Sequence, residues 1–485
     1  MYFCHPIKYR MDRSKGTFQE NLRRNFGFEP TASQAEAMER IADFIYGKGD
    51  NFLFQLSGYA GTGKTSLVSA LVKTLADIGV QIVMLAPTGR AAKVLSQYSG
   101  RKAYTIHKWI YRVYSKEGVR KFVRRENKDS HTLFIVDEAS MIADGVSESS
   151  LFGNNSLMDD LFSYVFEGSG CQLLLVGDGA QLPPVNFEES PALSIDYIQR
   201  NFSLLAGHAT LTDVTRQNIE SGILRNASQL RQRMEDEDFS FPILPAPKFS
   251  DCKRINGEEL EELFNDLYGR YSPEEIVTIT YSNKRAYIYN QEIRHRILYK
   301  EDELSAGDLV IAVKNNYFWI KDDAEVGFIA NGDSLEILSI NKIQELYGFR
   351  FADVTVRLCD YPNHGDIDIK IILESLTCEG ASLGKAEMDS LYYAVSEDYA
   401  DIPTKRERYA KMKEDPFLNA VQVKFSYALT CHKTQGGQWP VVLLDPGLIR
   451  DGVITKSYLR WLYTALTRAT SQVYLLNFAD DFFEK

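Results

Sequence analysis

The sequence is poor in the features that would place it outside the ordinary globular class. Its 485 residues hold six cysteines (Cys4, Cys171, Cys252, Cys359, Cys378 and Cys431), and no two of them form a C-x-x-C pair. That scatter argues against a zinc site and against a disulfide framework, and it favours a reducing compartment. No run of about 18 apolar residues occurs, so no membrane span is expected. The opening residues, MYFCHPIKYRMDRSKG, lack an apolar signal core, so export is not expected. There is no low-complexity tract and no short-period repeat. Excess positive charge is also missing, since the formal net charge is −11 at pH 7. Proteins that coat nucleic acid without selectivity are basic overall. Any nucleic-acid contact here therefore has to come from a local basic or aromatic groove.

What is present is a chain of ordinary composition, long enough for three or four domains at roughly 100–200 residues each. NFLFQL (51–56) is a short apolar run that ends in a glycine-rich loop. Leu67, Val68, Leu71, Val72 and Leu75 then recur at helical spacing, and QIVMLAP (81–87) is apolar again. Strand, loop, helix and strand make a βαβ unit of a parallel sheet. Two more buried-strand candidates, TLFIVD (132–137) and QLLLVGD (172–178), both end in aspartate. Ligands of open parallel sheets sit at the carboxyl ends of strands, so these acids are site candidates.

A second α/β pattern occupies the C-terminal part. It runs as strand 275–283, helix 284–298, strand VQVKFSYAL (421–429), strand 440–445, helix 457–469 and strand 471–478. Between the two blocks, residues 307–375 alternate short strand-like runs with turn residues and suggest a small barrel. A charged helical stretch follows at 385–416, and RMEDEDFSFPILPAP (233–247) reads as an exposed connector.

GYAGTGKT, from Gly58 to Thr65, fits G-x-x-x-x-G-K-[ST] in a strand–helix context. Backbone N–H groups of Gly58, Gly61, Thr62 and Gly63 suit phosphates, and the helix N-terminus favours negative charge. Lys64 suits the β/γ oxygens of ATP, and Thr65 suits Mg²⁺. In LFIVDEAS, Asp137 suits the metal and Glu138 suits a water that attacks phosphorus. A kinase needs no second acid there, so the pair favours hydrolysis. Gln181, in VGDGAQLPPV, carries both a donor and an acceptor and suits the γ-phosphate or the attacking water. Arg216 and Arg468 are arginines of the kind that stabilise phosphoryl transfer.

Together these motifs resemble superfamily 1 helicases, most closely the RecD-like and phage Dda-like group. The resemblance spans roughly residues 28–478 in motif order: FEPTASQ, GYAGTGKT, LAPTGRAA, TIHKWI, VDEAS, GDGAQLPPV, LTDVTRQ, ALTCHKTQGGQW and YTALTRA. It implies an α/β fold of two RecA-like P-loop lobes. The first lobe carries a small hairpin insertion, and the second an SH3-like β-barrel with a helical insertion. The implied layout is a lead (1–27), a first lobe (28–195) with its hairpin at about 108–130, a second lobe (196–300 and 421–485) and an insert (301–420). The implied activity is ATP-driven movement 5′ to 3′ on single-stranded DNA, with hydrolysis in the inter-lobe cleft coupled to strand separation. Gln34 is implied as the adenine reader, and Gly436 as a nucleotide contact. Pro87, Thr88, His107, Thr430, His432 and Lys433 match positions used near DNA, although either histidine could instead be a packed neutral one.

The run RVYSKEGVRKFVRRENK (112–128) falls where the family carries a duplex-splitting hairpin, and it is also the kind of sequence that forms a solvated face. Trp109, Tyr111 and Tyr114 could stack bases or fill a small core. Because only about 27 residues precede the first motif, too few for a domain, a compact free-standing helicase is expected rather than a nuclease subunit. The expected partners are single-stranded DNA and duplex junctions, with no membrane, in a monomer or weak associate. The expected compartment is cytoplasmic and nucleoid-associated, of bacterial or phage type. The competing readings are a translocase that strips proteins or remodels RNA, and a P-loop switch that no single strand would stimulate.

Overall fold

The structure is a computed structural model. It describes residues 14–47, 52–116, 119–145, 155–213, 221–245, 248–320, 327–361, 364–447, 449 and 452–483. The chain divides into two compact units, the first drawn from most of residues 1–220 and the second mainly from 221–485.

The first unit runs α1 (Lys15–Phe26), α2 (Ala32–Tyr46), β1 (Phe52–Gly58), α3 (Lys64–Asp77), β2 (Gln81–Ala86), α4 (Gly89–Ser99), β3 (Ala103–Thr105) and α5 (Ile106–Ile110). It continues with β4 (Tyr111–Lys116), β5 (Val119–Arg124), β6 (Thr132–Val136), α6 (Leu157–Glu167), β7 (Gln172–Gly177), α7 (Ile195–Phe202) and β8 (Leu205–Leu211). Six strands form one parallel sheet in the order β3-β2-β6-β7-β1-β8. β6 is buried along its whole length, the pattern of a strand covered on both faces. Helices α1 and α2 pack their apolar faces (Phe18, Leu22, Met38, Ile41) into one core with Leu67, Leu71 and Leu75 of α3. β4 and β5 pair as a separate two-stranded sheet, of which residues 113–121 group with the second unit rather than the first.

The second unit contains α8 (Gly222–Glu235), β9 (Cys252–Ile255), α9 (Leu260–Arg270), β10 (Ile276–Thr280), α10 (Asn283–Glu292), β11 (Leu309–Ala312), β12 (Ser334–Leu346), β13 (Phe349–Leu358) and β14 (Ile367–Ile372). After these come α11 (Glu374–Thr377), α12 (Lys385–Asp398), α13 (Lys405–Met412), β15 (Val423–Phe425), β16 (Ala428–Thr430), α14 (Cys431–Thr434), β17 (Trp439–Asp445), α15 (Lys456–Leu466) and β18 (Ala469–Leu476). Five strands form a second parallel sheet, β16-β10-β17-β18-β9. Another five form an antiparallel sheet, β14-β13-β12-β11-β15. Its outer strands approach one another where Val421 exchanges backbone hydrogen bonds with Lys370 and Ile372.

Three boundaries differ from the sequence reading. The helix Lys15–Phe26 is not a lead, because it packs into the first core. The first unit does not stop at 195: β8 pairs with β1 along its full length, from Phe52↔Leu205 to Gly58↔Leu211. Finally, the apolar run 421–429 is two strands. β15 pairs antiparallel with β11, and after Ser426–Tyr427 the chain re-enters the parallel sheet as β16. Tyr427 marks the break, being fully buried with its hydroxyl donated to Asp308 at 3.0 Å.

Candidate functional site

Strands β6, β7 and β1 are neighbours, and all three run in the same direction. Their carboxyl ends therefore present Asp137, Asp178 and the Gly58–Thr65 loop side by side. The loop turns on Gly63, whose φ of 83° is left-handed. A Cβ there would sit 2.6 Å from Gln34 Nε2. Glycine is thus required twice, once for conformation and once for close approach.

Gln34 packs directly behind this loop. It is 1% exposed. Its Nε2 donates to the Thr62 carbonyl at 3.0 Å, and its Oε1 accepts from Thr31 N at 2.9 Å in the capping box of α2. Both ends of the amide are engaged within the chain, so Gln34 braces the loop from behind. Ser33, beside it, is held by Asp213, whose Oδ2 accepts from Ser33 N (2.9 Å) and Oγ (2.7 Å). Those bonds hold the Asp213 carboxyl below its usual range.

Lys64 Nζ donates to the carbonyls of Gly58 (2.5 Å) and Tyr59 (2.9 Å) and lies 3.8 Å from Asp178 Oδ2. Asp178 is buried, and its Oδ1 accepts from Ala180 N at 2.9 Å. Thr65 is exposed on the first turn of α3. Asp137 Oδ1 accepts from Glu138 N at 2.9 Å, and its Oδ2 accepts from the Tyr98 hydroxyl at 2.6 Å. Burial raises the Asp137 carboxyl above its ordinary range, against the opposing effects of Tyr98, the Glu138 N–H and Lys64. Glu138 follows with φ 52°, an unusual backbone state that turns the chain sharply at the end of β6. Gln181 is buried, and its Oε1 has no hydrogen-bond partner among the described residues. No cluster of three or more His, Cys, Asp or Glu occurs among the described residues. One hydroxyl and one carboxylate beside a phosphate loop is nevertheless the sparse hard-oxygen set that suits Mg²⁺ arriving with a nucleotide.

In the second unit, Arg468 is 3% exposed. Its guanidinium donates to the carbonyls of Thr464 (3.1 Å) and Gly437 (3.3 Å), and its own carbonyl accepts from Trp439 N at 2.9 Å. Arg468 therefore clamps the glycine turn in which Gly436 has φ 73°. At the ends of β16 and β10, Thr430 and Lys433 line a small pocket with Lys424, Asn283 and Tyr287. Burial, reinforced by Lys424, pulls the Lys433 ammonium down to about 8. His432, next to it, is exposed.

Other expected residues fall differently. Arg216 lies outside the described residues. Pro87 and Thr88 follow β2 directly. His107 is a partly buried ring 5.8 Å from that of Tyr111, and burial pushes its pKa down to about 4. Tyr111 is a core residue whose hydroxyl donates to Asp160 at 2.7 Å, so its ring is not available for stacking on bases. Trp109 packs against Tyr104 at 4.9 Å, and the side chain of Tyr114 lies outside what is described. Of the basic run, Arg124 pairs with Glu167 at 2.6 Å and Arg125 donates to the Tyr111 carbonyl at 2.8 Å. Sequence reasoning assigned no role to Tyr98 or Lys424. Neither lies in a motif, and only the sheet topology brings them to their partners.

The chain is similar to known proteins in both of its parts. The AAA domain family matches residues 29–241, and the UvrD-like helicase C-terminal domain family matches residues 425–476. The ATP-dependent RecD2 DNA helicase of Deinococcus radiodurans is 32% identical over 209 residues, 43% of this chain and 24% of that one. The ATP-dependent DNA helicase dda of Enterobacteria phage T4 is 26% identical over 270 residues, 53% and 55% of the two chains. This chain thus spans about a quarter and about half of those relatives. The Pif1 helicase from Bacteroides, in a crystal structure with ADP-AlF3 and single-stranded DNA, aligns at 14% identity over 94% of this chain and 95% of its own, with a TM-score of 0.47. With the two domain families in this order and relatives of both kinds, the chain is similar to the superfamily 1 helicases of the RecD- and Dda-like type.

Proposed function

We propose that this protein is an ATP-dependent DNA helicase that moves 5′ to 3′ along single-stranded DNA and couples ATP hydrolysis to strand separation. The observation that carries the reading is the alignment of the Gly58–Thr65 loop, Asp137 and Asp178 at the ends of three adjacent parallel strands, with Gln181 close behind. In this reading Lys64 exchanges the loop carbonyls for the β/γ oxygens of ATP. Thr65 and Asp137 would hold Mg²⁺, which would supply positive charge against the phosphates. Glu138 would accept the proton of the attacking water, and Gln181, whose Oε1 has no hydrogen-bond partner among the described residues, would orient that water.

The family resemblance supplies the rest. The two parallel sheets are read as RecA-like lobes, and the antiparallel sheet as an SH3-like insert. Arg216 and Arg468 are assigned to the γ-phosphate. Pro87, Thr88, Thr430, His432 and Lys433 are assigned to a DNA strand, and the β4–β5 ribbon to a duplex junction. No helix among the described residues is long and apolar enough to cross a membrane. We assign the protein to the cytoplasm as a monomer or weak associate.

The test is a set of partial duplexes with a 5′ or a 3′ single-stranded tail, and RNA as an alternative stimulator of ATPase. Unwinding from the 5′ tail alone is expected, abolished by Lys64→Ala. Glu138→Gln is expected to keep nucleotide binding and lose about 10²–10⁴-fold in turnover. A strict 3′-tail requirement overturns the direction, and full unwinding by Lys64→Ala overturns the site.

A further inference from the structure

The Asp137 carboxylate is held at both oxygens, and one of the holders belongs to none of the motifs. Oδ1 takes the N–H of its own neighbour, Glu138, at 2.9 Å. Oδ2 takes the hydroxyl of Tyr98 at 2.6 Å, across 39 positions of sequence. Tyr98 is itself anchored, because its carbonyl accepts from Ser69 Oγ at 3.0 Å and Ser69 lies on α3, the helix that Lys64 begins. Tyr98 thus joins the phosphate-loop helix, through its backbone, to the strand-end acid, through its side chain. It stands near the end of α4, which starts two residues after Pro87. Nine residues of helix rise about 14 Å, so α4 is a single rigid strut from the Pro87–Thr88 end to the carboxylate.

A hydroxyl that merely satisfied a buried acid could come from anywhere. This one comes from α4, which begins beside Pro87 and Thr88, where the proposed DNA strand is assigned, and it fixes the oxygen opposite the one used by the backbone. With both oxygens fixed, the carboxylate has one orientation in which its remaining lone pairs can meet a cation or the cation's water. Groups of this kind, one step removed from a metal, set both ligand orientation and affinity.

We propose that Tyr98 is a positioning residue of the ATPase site: it orients Asp137 for the divalent cation that accompanies ATP, and through α4 it relays strand engagement at Pro87–Thr88 to that carboxylate. The relay rests on the function proposed above, whereas the positioning role does not.

The experiment uses Tyr98→Phe in the full chain, which removes one hydroxyl and keeps the ring. Mn²⁺ binding to the complex with a non-hydrolysable ATP analogue is read by electron paramagnetic resonance, with and without an oligothymidine strand. ATPase kcat and KM are measured alongside. The variant is expected to bind the analogue without metal as the wild type does, to bind Mn²⁺ about 10-fold more weakly, and to lose turnover in kcat rather than in KM. Stimulation of its turnover by oligothymidine is expected to fall by a similar factor at unchanged strand affinity. Mn²⁺ affinity within twofold of wild type overturns the positioning role. Weakened Mn²⁺ binding with stimulation fully retained overturns the relay. If no single strand stimulates the wild type, the function proposed above fails and the relay falls with it, while the Mn²⁺ comparison still decides the role of Tyr98.

Discussion

At the scale of single residues, the site rests on side chains that touch no ligand. Gln34 spends its amide on the loop, and Gly63 leaves the room for it to do so. Gly63→Ala meets two obstacles. The left-handed φ costs an L-residue roughly 1–2 kcal/mol, and the new methyl group collides with Gln34 Nε2. The collision pushes Gln34 off the Thr62 carbonyl, which is a second loss. The variant is therefore expected to melt several degrees lower and to bind a fluorescent ATP analogue at least about 10-fold more weakly, since roughly 1.4 kcal/mol is tenfold in binding. Thermal melting and nucleotide titration check both. The loop itself was legible in the sequence because its chemistry is contiguous: the spacing of Gly58, Gly63, Lys64 and Thr65 is the motif. The brace that Gln34 gives the loop was not legible, because its partner, the Thr62 carbonyl, is distant in sequence. Tyr98 left no signal at all, since its partner is far away in sequence.

At the scale of elements, the apolar periodicity of 52–58, 81–86, 132–136 and 172–177 was enough to place four of the six strands of the first sheet. The fifth and sixth escaped for different reasons. β3 is three residues long, and β8 has polar and small residues (Gly207, His208, Thr210) on an edge where only part of the strand is buried. The run 421–429 misled because two strands of different sheets abut there without a turn signal, and burial of both makes the apolar pattern continuous. That junction nonetheless builds the basic pocket at the end of β16, where Lys424 of β15 faces Lys433 of α14.

The pocket carries a pH signature. Lys433 is a base whose folded pKa is pulled down to about 8, so it is charged at pH 7 and neutral by pH 9. A phosphate bound there loses its counter-charge as the pH rises through 8. Single-strand affinity is therefore expected to fall between pH 7 and 9. Lys433→Arg, which stays charged, should remove that fall. Lys433→Met should remove it too, weaken binding at pH 7 and reduce the salt slope by about 0.7. Fluorescence anisotropy of a labelled oligothymidine across pH and salt gives all three values, and a pH profile that Lys433→Met leaves unchanged excludes Lys433 from the strand site.

At the scale of the whole molecule, the second unit raises the question of whether its antiparallel sheet is a separate body or part of the parallel-sheet unit. The packing answers it. One hydrophobic core takes in Ile276, Val441 and Leu443 of the parallel sheet together with Leu335, Val354 and Val356 of the antiparallel one. At the seam, Asp308 is fully buried beneath Arg294, which is 1% exposed. The carboxylate accepts from Arg294 Nε (3.1 Å), a terminal Arg294 nitrogen (3.0 Å), Lys300 Nζ (3.1 Å), the Tyr427 hydroxyl (3.0 Å) and Ser305 N (2.8 Å). Arg294 also lies 4.1 Å over the ring of Phe425. Its donors arrive from the helical turn after α10, from the approach to β11 and from the link between β15 and β16, so one acid ties the ends of both sheets. Asp308→Asn keeps the shape and removes the charge, leaving two cations facing a neutral amide. Breaking a buried pair from one side costs about 3–5 kcal/mol, and the loss should fall on both sheets at once. Hydrogen exchange read by mass spectrometry is expected to show protection falling together in β10–β17 and in β12–β13, while nucleotide binding by the first unit is retained. If only the antiparallel strands lose protection, the insert is an independent body and Asp308 a local fastening. If both lose it together, the antiparallel sheet and the second parallel sheet are one cooperative body.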